Sequence, residues 1–524
     1  MTWLWLLVLA AFIIYAAAKS VYNLHMMQLN SYMNRRFRLW AKQNGRRLFP
    51  PLEALLPASV LLLFFGMELA AQLTLLGLLL LLRLLYRRPK EKKPLALTKR
   101  AKRLYILNIT LLVLFAALLY LFGCSWPAMA VLAVLTVFAH WPTLLANALL
   151  APLEKGINNR FLREARKIIE GSSALTVIGV TGSYGKTSVK FILGRILNER
   201  YNTLVTPDSY NTPMGLTIVI REKLRPVHEM LVAEMGARQK GDIEELCRLA
   251  CPKAGIITAV GEQHLETFGS LRNIIETKFE LMRSLPENGF LVLNMDDENV
   301  RDGMNLPHVC RIVGYSLEGR GDYNIGEIRM DSRGSSFVIS APSGESRRFS
   351  TVLLGRHNIS NIAAATAAAC ELGVSLAQAA EAVKSLPPVK HRLEVRETAQ
   401  GVTIIDDAFN SNPRGAQAAL EVLASFPGGR KILITPGMVE LGERQAELNR
   451  QFALQAAEVC DYIILVGPKQ TVPLREGLQS AGFDPQRLCL AADLEEAKKQ
   501  MSEWARPGDA VLFENDLPDT YSEK

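Results

Sequence analysis

The segment Thr181-Gly182-Ser183-Tyr184-Gly185-Lys186-Thr187-Ser188 carries the residue types that hold a nucleotide. Its glycines let backbone N–H groups turn toward an anion, and a helix opening just after them adds its partial positive charge. Lys186 suits the β- and γ-phosphates and Thr187 offers a hydroxyl to Mg2+, so ATP and Mg2+ are the expected cofactors. The spacing is T-G-x-x-G-K-T, because Val180 stands where the strict eight-residue motif has its first glycine. Such a turn works only between a strand and a helix. Ala174–Val180 is apolar and β-branched, which predicts a buried strand, and Val189–Glu199 predicts a helix.

T-G-x-x-G-K-T is the form used by the Mur ligases, which join an amino acid or peptide to a carboxylate with ATP, and the resemblance continues in family order to about residue 445. Tyr210-Asn211-Thr212-Pro213-Met214-Gly215 resembles the family's asparagine-glycine segment. Leu231-Val232-Ala233-Glu234-Met235-Gly236 resembles the strand that ends in a magnesium-binding glutamate, and Gly261 to Ser270 the segment with a metal-site histidine, here His264. Thr277-Lys278-Phe279-Glu280 resembles the segment whose lysine is often carbamylated, and Leu293-Asn294-Met295-Asp296-Asp297 the adenine-side segment. Gly355-Arg356-His357-Asn358 is similar to the family's G-x-H-N. His391-Arg392-Leu393-Glu394 and Ile405-Asp406-Asp407-Ala408-Phe409-Asn410-Ser411-Asn412-Pro413 resemble the start of its third domain. The branch that adds D-alanyl-D-alanine to a UDP-N-acetylmuramoyl-tripeptide, the MurF type, shares most of these features.

The resemblance implies roles. Gly182, Ser183, Tyr184, Gly185, Lys186, Thr187, Ser188, Asn294, Asn358, Arg392 and Asp407 would contact ATP. Thr187, Glu234 and His264 would hold Mg2+, with Lys186, Lys278 and His264 catalytic and Asn211, Thr212 and Asn410 on the substrate side. The chemistry brings three anions together, so cations matter most. By residue type alone, Glu234 also suits a solvated strand end, His264 a structural histidine, Lys278 a surface charge and Asn358 a helix cap.

The elements that must position these groups follow from periodicity. From Thr403 onward, strands (TIIDD, KILITPG, YIILVG, RLCLAAD, AVLFEND) alternate with helical stretches, the pattern of a doubly wound parallel sheet. Three departures from the family stand out. The UDP-sugar domain is replaced by apolar sequence, Ala237-Arg238-Gln239-Lys240 follows Gly236 where Asn-His is usual, and Glu514-Asn515-Asp516 stands where Lys-Gly-Ser is usual.

Of 524 residues, 60 are Lys or Arg and 51 Asp or Glu, a formal charge of +9 that would suit a nucleic-acid binder. The distribution argues otherwise. Residues 1–150 hold 17 Lys/Arg against three Glu, while the rest hold 43 basic and 48 acidic side chains. The basic part is also the apolar part, and its charges lie in loops between long apolar runs. Thr2–Ala18, Pro51–Tyr86 read as a hairpin around Gly66-Met67-Glu68, Leu104–Phe122 and Pro127–Leu150 predict five crossings with everything after residue 150 in the cytoplasm. The seven cysteines are scattered, and Cys247 and Cys251 have no second pair to complete a zinc site, so free thiols are expected.

The expected architecture is an α-helical membrane domain (1–150), a connector (151–170), a P-loop central ATPase domain (171–390) and a C-terminal Rossmann-like parallel-sheet domain (391–524). The expected function is a multi-pass ligase of the cell membrane, acting on a small-molecule or lipid-linked peptide in cell-wall synthesis and binding no nucleic acid. A poly-γ-glutamate-type capsule synthase and a nucleotide-sensing membrane scaffold are the alternatives.

Overall fold

The computed structural model describes residues 2–516, save 90–92, 208–209, 264, 332, 389–390 and 409–410. The chain divides into two compact units, Met1–Asn159 and Arg160–Lys524. His264 and Asn410 lie outside the described residues.

The first unit is helical. Three of its helices, Trp3–Leu29, Glu68–Leu85 and Lys99–Leu121, are long and apolar enough to cross a membrane. A fourth span results if Trp126–Val137 and the helix opening at His140, bent by 78° at a short break, count as one. The expected hairpin is present as two helices, Leu56–Phe64 and Glu68–Leu85, joined at Gly66-Met67. Its first arm, with the preceding turn Pro51–Leu55, is shorter than a crossing. It is bounded by Pro50 and Pro51 at its start and by Gly66, at φ 77°, at its end, so the apolar run does not continue as one helix. Trp5, Phe12, Tyr15, Leu75, Leu79, Leu112 and Met129 form the interior, while Leu84, Leu114, Leu118, Leu121 and Ile106 face outward. Inside, Lys19 Nζ lies 2.6 Å from Glu53 Oε1 and also donates to the carbonyls of Thr136 at 3.2 Å and Val137 at 3.3 Å. Those carbonyls belong to the last turn before the helix break, so the ammonium satisfies groups the break leaves without helical partners.

The second unit holds two sheets. The first, nine strands among the described residues, contains β1 (Thr176–Thr181), β2 (Thr203–Val205), β3 (Met230–Glu234), β4 (Ala254–Ile257), β5 (Phe290–Asn294), β6 (Arg311–Ser316), β7 (Tyr323–Asp331), β8 (Gly334–Ser340) and β9 (Ser346–Thr351) in the order β2-β3-β1-β4-β5-β6-β7-β8-β9. Pairing is parallel from β2 to β7 and antiparallel through β8 and β9. β1, β3 and β4 are almost wholly buried, which explains their continuous apolar runs without alternation. The second sheet has β10 (Glu394–Glu397), β11 (Thr403–Asp407), β12 (Lys431–Thr435), β13 (Tyr462–Val466), β14 (Leu488–Ala491) and β15 (Ala510–Glu514), in the order β10-β11-β15-β12-β13-β14. Only β10 is antiparallel there, so the alternation of strands and helices after Thr403 does form a parallel sheet. All seven cysteines are free.

Candidate functional site: the carboxyl edge of the first sheet

In a parallel sheet the carboxyl ends of all strands meet at one edge, and here that edge gathers the charged groups. β1 leads directly into the glycine turn, and the helix Lys186–Leu197 begins at its end. Gly185 caps that helix at φ 78°, a left-handed conformation that favours glycine, and a Cβ there would collide with Asn361 Oδ1. The helix buries Val189, Ile192, Leu193 and Ile196 against the alanine-rich helix Arg356–Glu371. The small side chains of that partner let Asn361 come up beneath the turn. Across the turn, Ser183 N donates to the carbonyl of Ala259 at 2.7 Å, and Ser183 Oγ donates to that of Gly261 at 3.0 Å. The loop after β4 therefore fixes the shape of the turn.

Lys186 Nζ folds back onto the carbonyls of Gly182 (2.7 Å) and Ser183 (3.0 Å), across the concave side of the turn. Burial pushes its ammonium down to about 8, with the Glu234 carboxylate opposing and the Arg392 guanidinium assisting. β3 pairs in register with β1, Glu234 opposite Val180, which puts Glu234 beside the start of the helix. Thr187 Oγ1 donates to Glu234 Oε2 at 3.1 Å and Asn211 Nδ2 to Oε1 at 3.0 Å. Burial alone would raise the Glu234 carboxyl, but Lys190 and Lys186 outweigh it and hold it below its usual range. Lys278, at the end of the helix Leu271–Lys278, is buried. Burial and the nearby Lys186 ammonium push it down to about 7, against the pull of Asp242 and Glu280.

The second sheet adds another group. Asp407 and Glu514 end the neighbouring strands β11 and β15 and are in register. Leu393 N donates to Asp407 Oδ1 at 3.2 Å, and Ser411 Oγ donates to Glu514 Oε1 at 2.5 Å. Burial raises both carboxyls, Asp407 to about 6, and the Asp407 charge pushes Glu514 up further, while Arg392 pulls each of them back. Arg392 acts electrostatically on Lys186 and His357 as well and is itself lowered by burial, so it links the two sheets' edges.

Lys186, Thr187, Glu234 and Asn211 therefore form one cluster, with Lys278 and Arg392 beside it. Thr212 caps the helix Pro213–Glu222, its Oγ1 accepting from Gly215 N at 3.2 Å. Asn294 closes β5 and accepts from Asp296 N at 3.0 Å. Asn358 Nδ2 donates to the carbonyl of Leu354 at 2.8 Å, and Ser188 is buried on the first turn of its helix. No group of three or more His, Cys, Asp or Glu able to hold a metal occurs among the described residues. Thr187 and Glu234 alone supply two hard oxygen ligands within 3.1 Å of each other, a fit for Mg2+, which keeps several waters and needs few protein ligands.

Sequence reasoning missed Lys190, Asn361, Arg414 and Glu514. Lys190 is fully buried with Nζ 2.9 Å from Glu234 Oε2, and Arg414 Nη1 donates to Asp297 Oδ2 at 2.5 Å. Nothing local marked Lys190, which stands about 90° round the helix from the apolar stripe of Val189, Leu193 and Ile196.

Residues 180–369 match the family model for the Mur ligase middle domain, and residues 391–514 the model for the Mur ligase glutamate ligase domain. The UDP-N-acetylmuramoyl-tripeptide–D-alanyl-D-alanine ligase of Bacillus subtilis is 31% identical over 339 residues, 64% of this chain and 72% of that protein. The ligase of the same description from Mycobacterium tuberculosis is 32% identical over 368 residues, covering 66% and 71%. Among solved structures, MurF ligase from Thermotoga maritima in complex with ADP superposes with a TM-score of 0.62 at 30% identity, covering 70% of this chain and 82% of that one. MurF from Acinetobacter baumannii gives 0.63 at 27% identity, covering 70% and 79%. On these grounds the chain belongs to the Mur ligase family and is an ATP-dependent ligase of that type.

Proposed function

We propose that the protein is a membrane-anchored, ADP-forming amide ligase of peptidoglycan precursor synthesis, adding a dipeptide such as D-alanyl-D-alanine to the carboxylate of a muramoyl-peptide. The observation that carries this is the Lys186, Thr187, Glu234 and Asn211 cluster at the carboxyl edge of β1 and β3, in a chain 31% identical to a ligase of that description.

In the proposed reaction the acceptor carboxylate attacks the γ-phosphorus of ATP, releasing ADP and forming an acyl phosphate, and the amine then displaces phosphate through a tetrahedral intermediate. Lys186 leaves the Gly182 and Ser183 carbonyls for the β- and γ-phosphates and offsets charge that grows on the γ-phosphoryl oxygens. The turn's N–H groups and the helix N-terminus do the same for the β-phosphate. Thr187 and Glu234, with His264, would hold Mg2+, which supplies Lewis-acid polarisation of the phosphoryl oxygens. Lys278, about half of it amine near neutral pH, is suited to carbamylation, which turns a repelling cation into an anionic ligand. In this reading Asn294, Asn358, Arg392 and Asp407 would contact the nucleoside, and Asn211, Thr212 and Asn410 the substrates. The domains follow the boundaries 171–390 and 391–524.

Residues 1–150 would lie in the cell membrane with the ligase in the cytoplasm. Apolar helix faces and basic connecting loops support this.

The test is ADP release by the purified full chain in nanodiscs with Mg-ATP, a UDP-muramoyl-tripeptide or its lipid-linked form, and D-alanyl-D-alanine. Release that needs both substrates is expected. Glutamate-dependent release without a muramoyl acceptor would favour the capsule-type polymerase, and nucleotide binding with no release under either condition would favour the scaffold.

A further inference from the structure

A lysine in a protein interior must be paired with an anion, since an ammonium without water or counter-charge is costly. Lys190 is fully buried among the apolar residues of the helix Lys186–Leu197, one turn beyond Lys186. Its Nζ lies 2.9 Å from Glu234 Oε2, the oxygen that also accepts the Thr187 hydroxyl at 3.1 Å. The other carboxylate oxygen takes Asn211 Nδ2 at 3.0 Å, and the backbone N of Glu234 donates to Thr206 Oγ1 at 3.1 Å. Glu234 thus has an ammonium already seated on the oxygen nearest Thr187.

A divalent cation shared by Thr187 and Glu234 would take that same oxygen. Two cations in contact with one carboxylate oxygen repel strongly in a buried setting. The ammonium already lies over the Phe191 ring, 4.4 Å from its centroid, a cation–π contact that does not involve Oε2 and need not be lost with it.

We propose that Lys190 is the resident counter-cation of Glu234, holding the carboxylate ionised and aligned until nucleotide and Mg2+ arrive, and then yielding Oε2 to the metal. This rests on the reading of Glu234 as a metal ligand. Lys190 is a positioning residue in this scheme: it touches neither ATP nor the reacting atoms. Its consequence is order. Without nucleotide the metal must displace a fixed charge unaided, so the site stays metal-poor, whereas the phosphates of ATP supply the negative charge that makes the exchange favourable. Metal and nucleotide affinities then depend on each other, reciprocally.

The experiment is Mn2+ binding followed by electron paramagnetic resonance on the full chain, with and without ADP, comparing wild type with Lys190→Met, Lys190→Arg and Glu234→Gln. Lys190→Met is expected to bind Mn2+ without nucleotide about tenfold tighter or more, with the enhancement by ADP shrinking by the same factor. Lys190→Arg, which keeps the charge, should behave as wild type. Wild-type metal affinity in Lys190→Met, or a weaker one, overturns the proposal. If Glu234→Gln binds Mn2+ and ADP as wild type does, Glu234 is no metal ligand, and it is the underlying reading that fails. Should Lys190→Met not fold, Lys190→Gln at the same stem position serves with the same expectation. The wild type offers an independent measure in the side-chain 15N resonance of Lys190, which must shift on addition of Mg-ADP. An unchanged resonance at saturation also overturns the proposal.

Discussion

Arg414 Nη1 donates to Asp297 Oδ2 at 2.5 Å, joining two side chains 117 positions apart. Asp297 is buried and also accepts from Val300 N at 3.1 Å as the cap of the helix Glu298–Met304, while Arg414 stands on the first turn of Pro413–Ser425. The pair ties the segment after β5 to the body built on the second sheet. Arg414→Ala is expected to lower kcat about tenfold while changing the Kd for ATP less than twofold. The stability loss should be small, about 1 kcal/mol, because the guanidinium is half exposed. Steady-state kinetics and nucleotide titration check this, and an unchanged kcat would show that the tie is dispensable for catalysis.

Lys278 provides a pH signature. Its folded-state value of about 7 lies below the ordinary 10.5. Above about 7 the folded protein carries the amine, so carbamate formation with bicarbonate should rise from pH 6 to pH 8 and then level off. Stability follows the same direction: the penalty for burying the ammonium is full below about 7 and disappears as pH rises toward 10.5. A 13C-bicarbonate NMR signal that Lys278→Ala lacks, and that grows through this window in wild type, is the expected result.

The Asp407 and Glu514 pair runs the other way. Both carboxyls are raised, so the folded state holds protons that the unfolded state has released, and stability is lost as pH rises through about 6. Glu514→Gln removes the repulsion and leaves Asp407 to Arg392. The variant should gain about 2–4 °C in Tm at pH 8 relative to wild type and nothing at pH 4. Thermal unfolding at both pH values decides it, and an equal shift at each would point to packing instead.

For the first unit, a single cysteine at Gly123, just past the end of the span Lys99–Leu121 that lies away from its basic flank, in a chain otherwise cleared of cysteine, should react with an impermeant maleimide added outside intact cells. A cysteine at Arg38 should react only after permeabilisation. Equal labelling at both positions before permeabilisation would contradict the proposed topology.

Much of this arrangement was legible because it is local. The turn between Thr181 and Ser188 shows its strand, glycines, lysine and helix within about 25 residues, and the residue types needed for phosphate binding are nearly unique to that task. The strands after Thr403 were equally legible, since each is a short β-branched run between helical stretches. What stayed hidden depends on pairing at a distance. Lys190 reads as one more surface lysine until the helix is seen packed between β3 and the alanine helix. Glu514 looked like a mere departure from the family pattern, because nothing local shows that β15 lies beside β11 and sets it opposite Asp407. The hairpin after Pro50 was misjudged in length because hydropathy counts residues, whereas prolines decide where a helix can start.

The place of β15 has a consequence for biogenesis. The strand is laid between β11 and β12, so until residues 510–514 have left the ribosome those two strands present unpaired edges to one another. The nascent second domain must wait, with its edges open, while the preceding domain is already free to fold. Assembly of the Asp407 and Glu514 pair is thereby tied to the emergence of residues 510–514, and a ribosome stalled before residue 510 would present a folded nucleotide domain beside an open sheet, a ready substrate for chaperones and proteases.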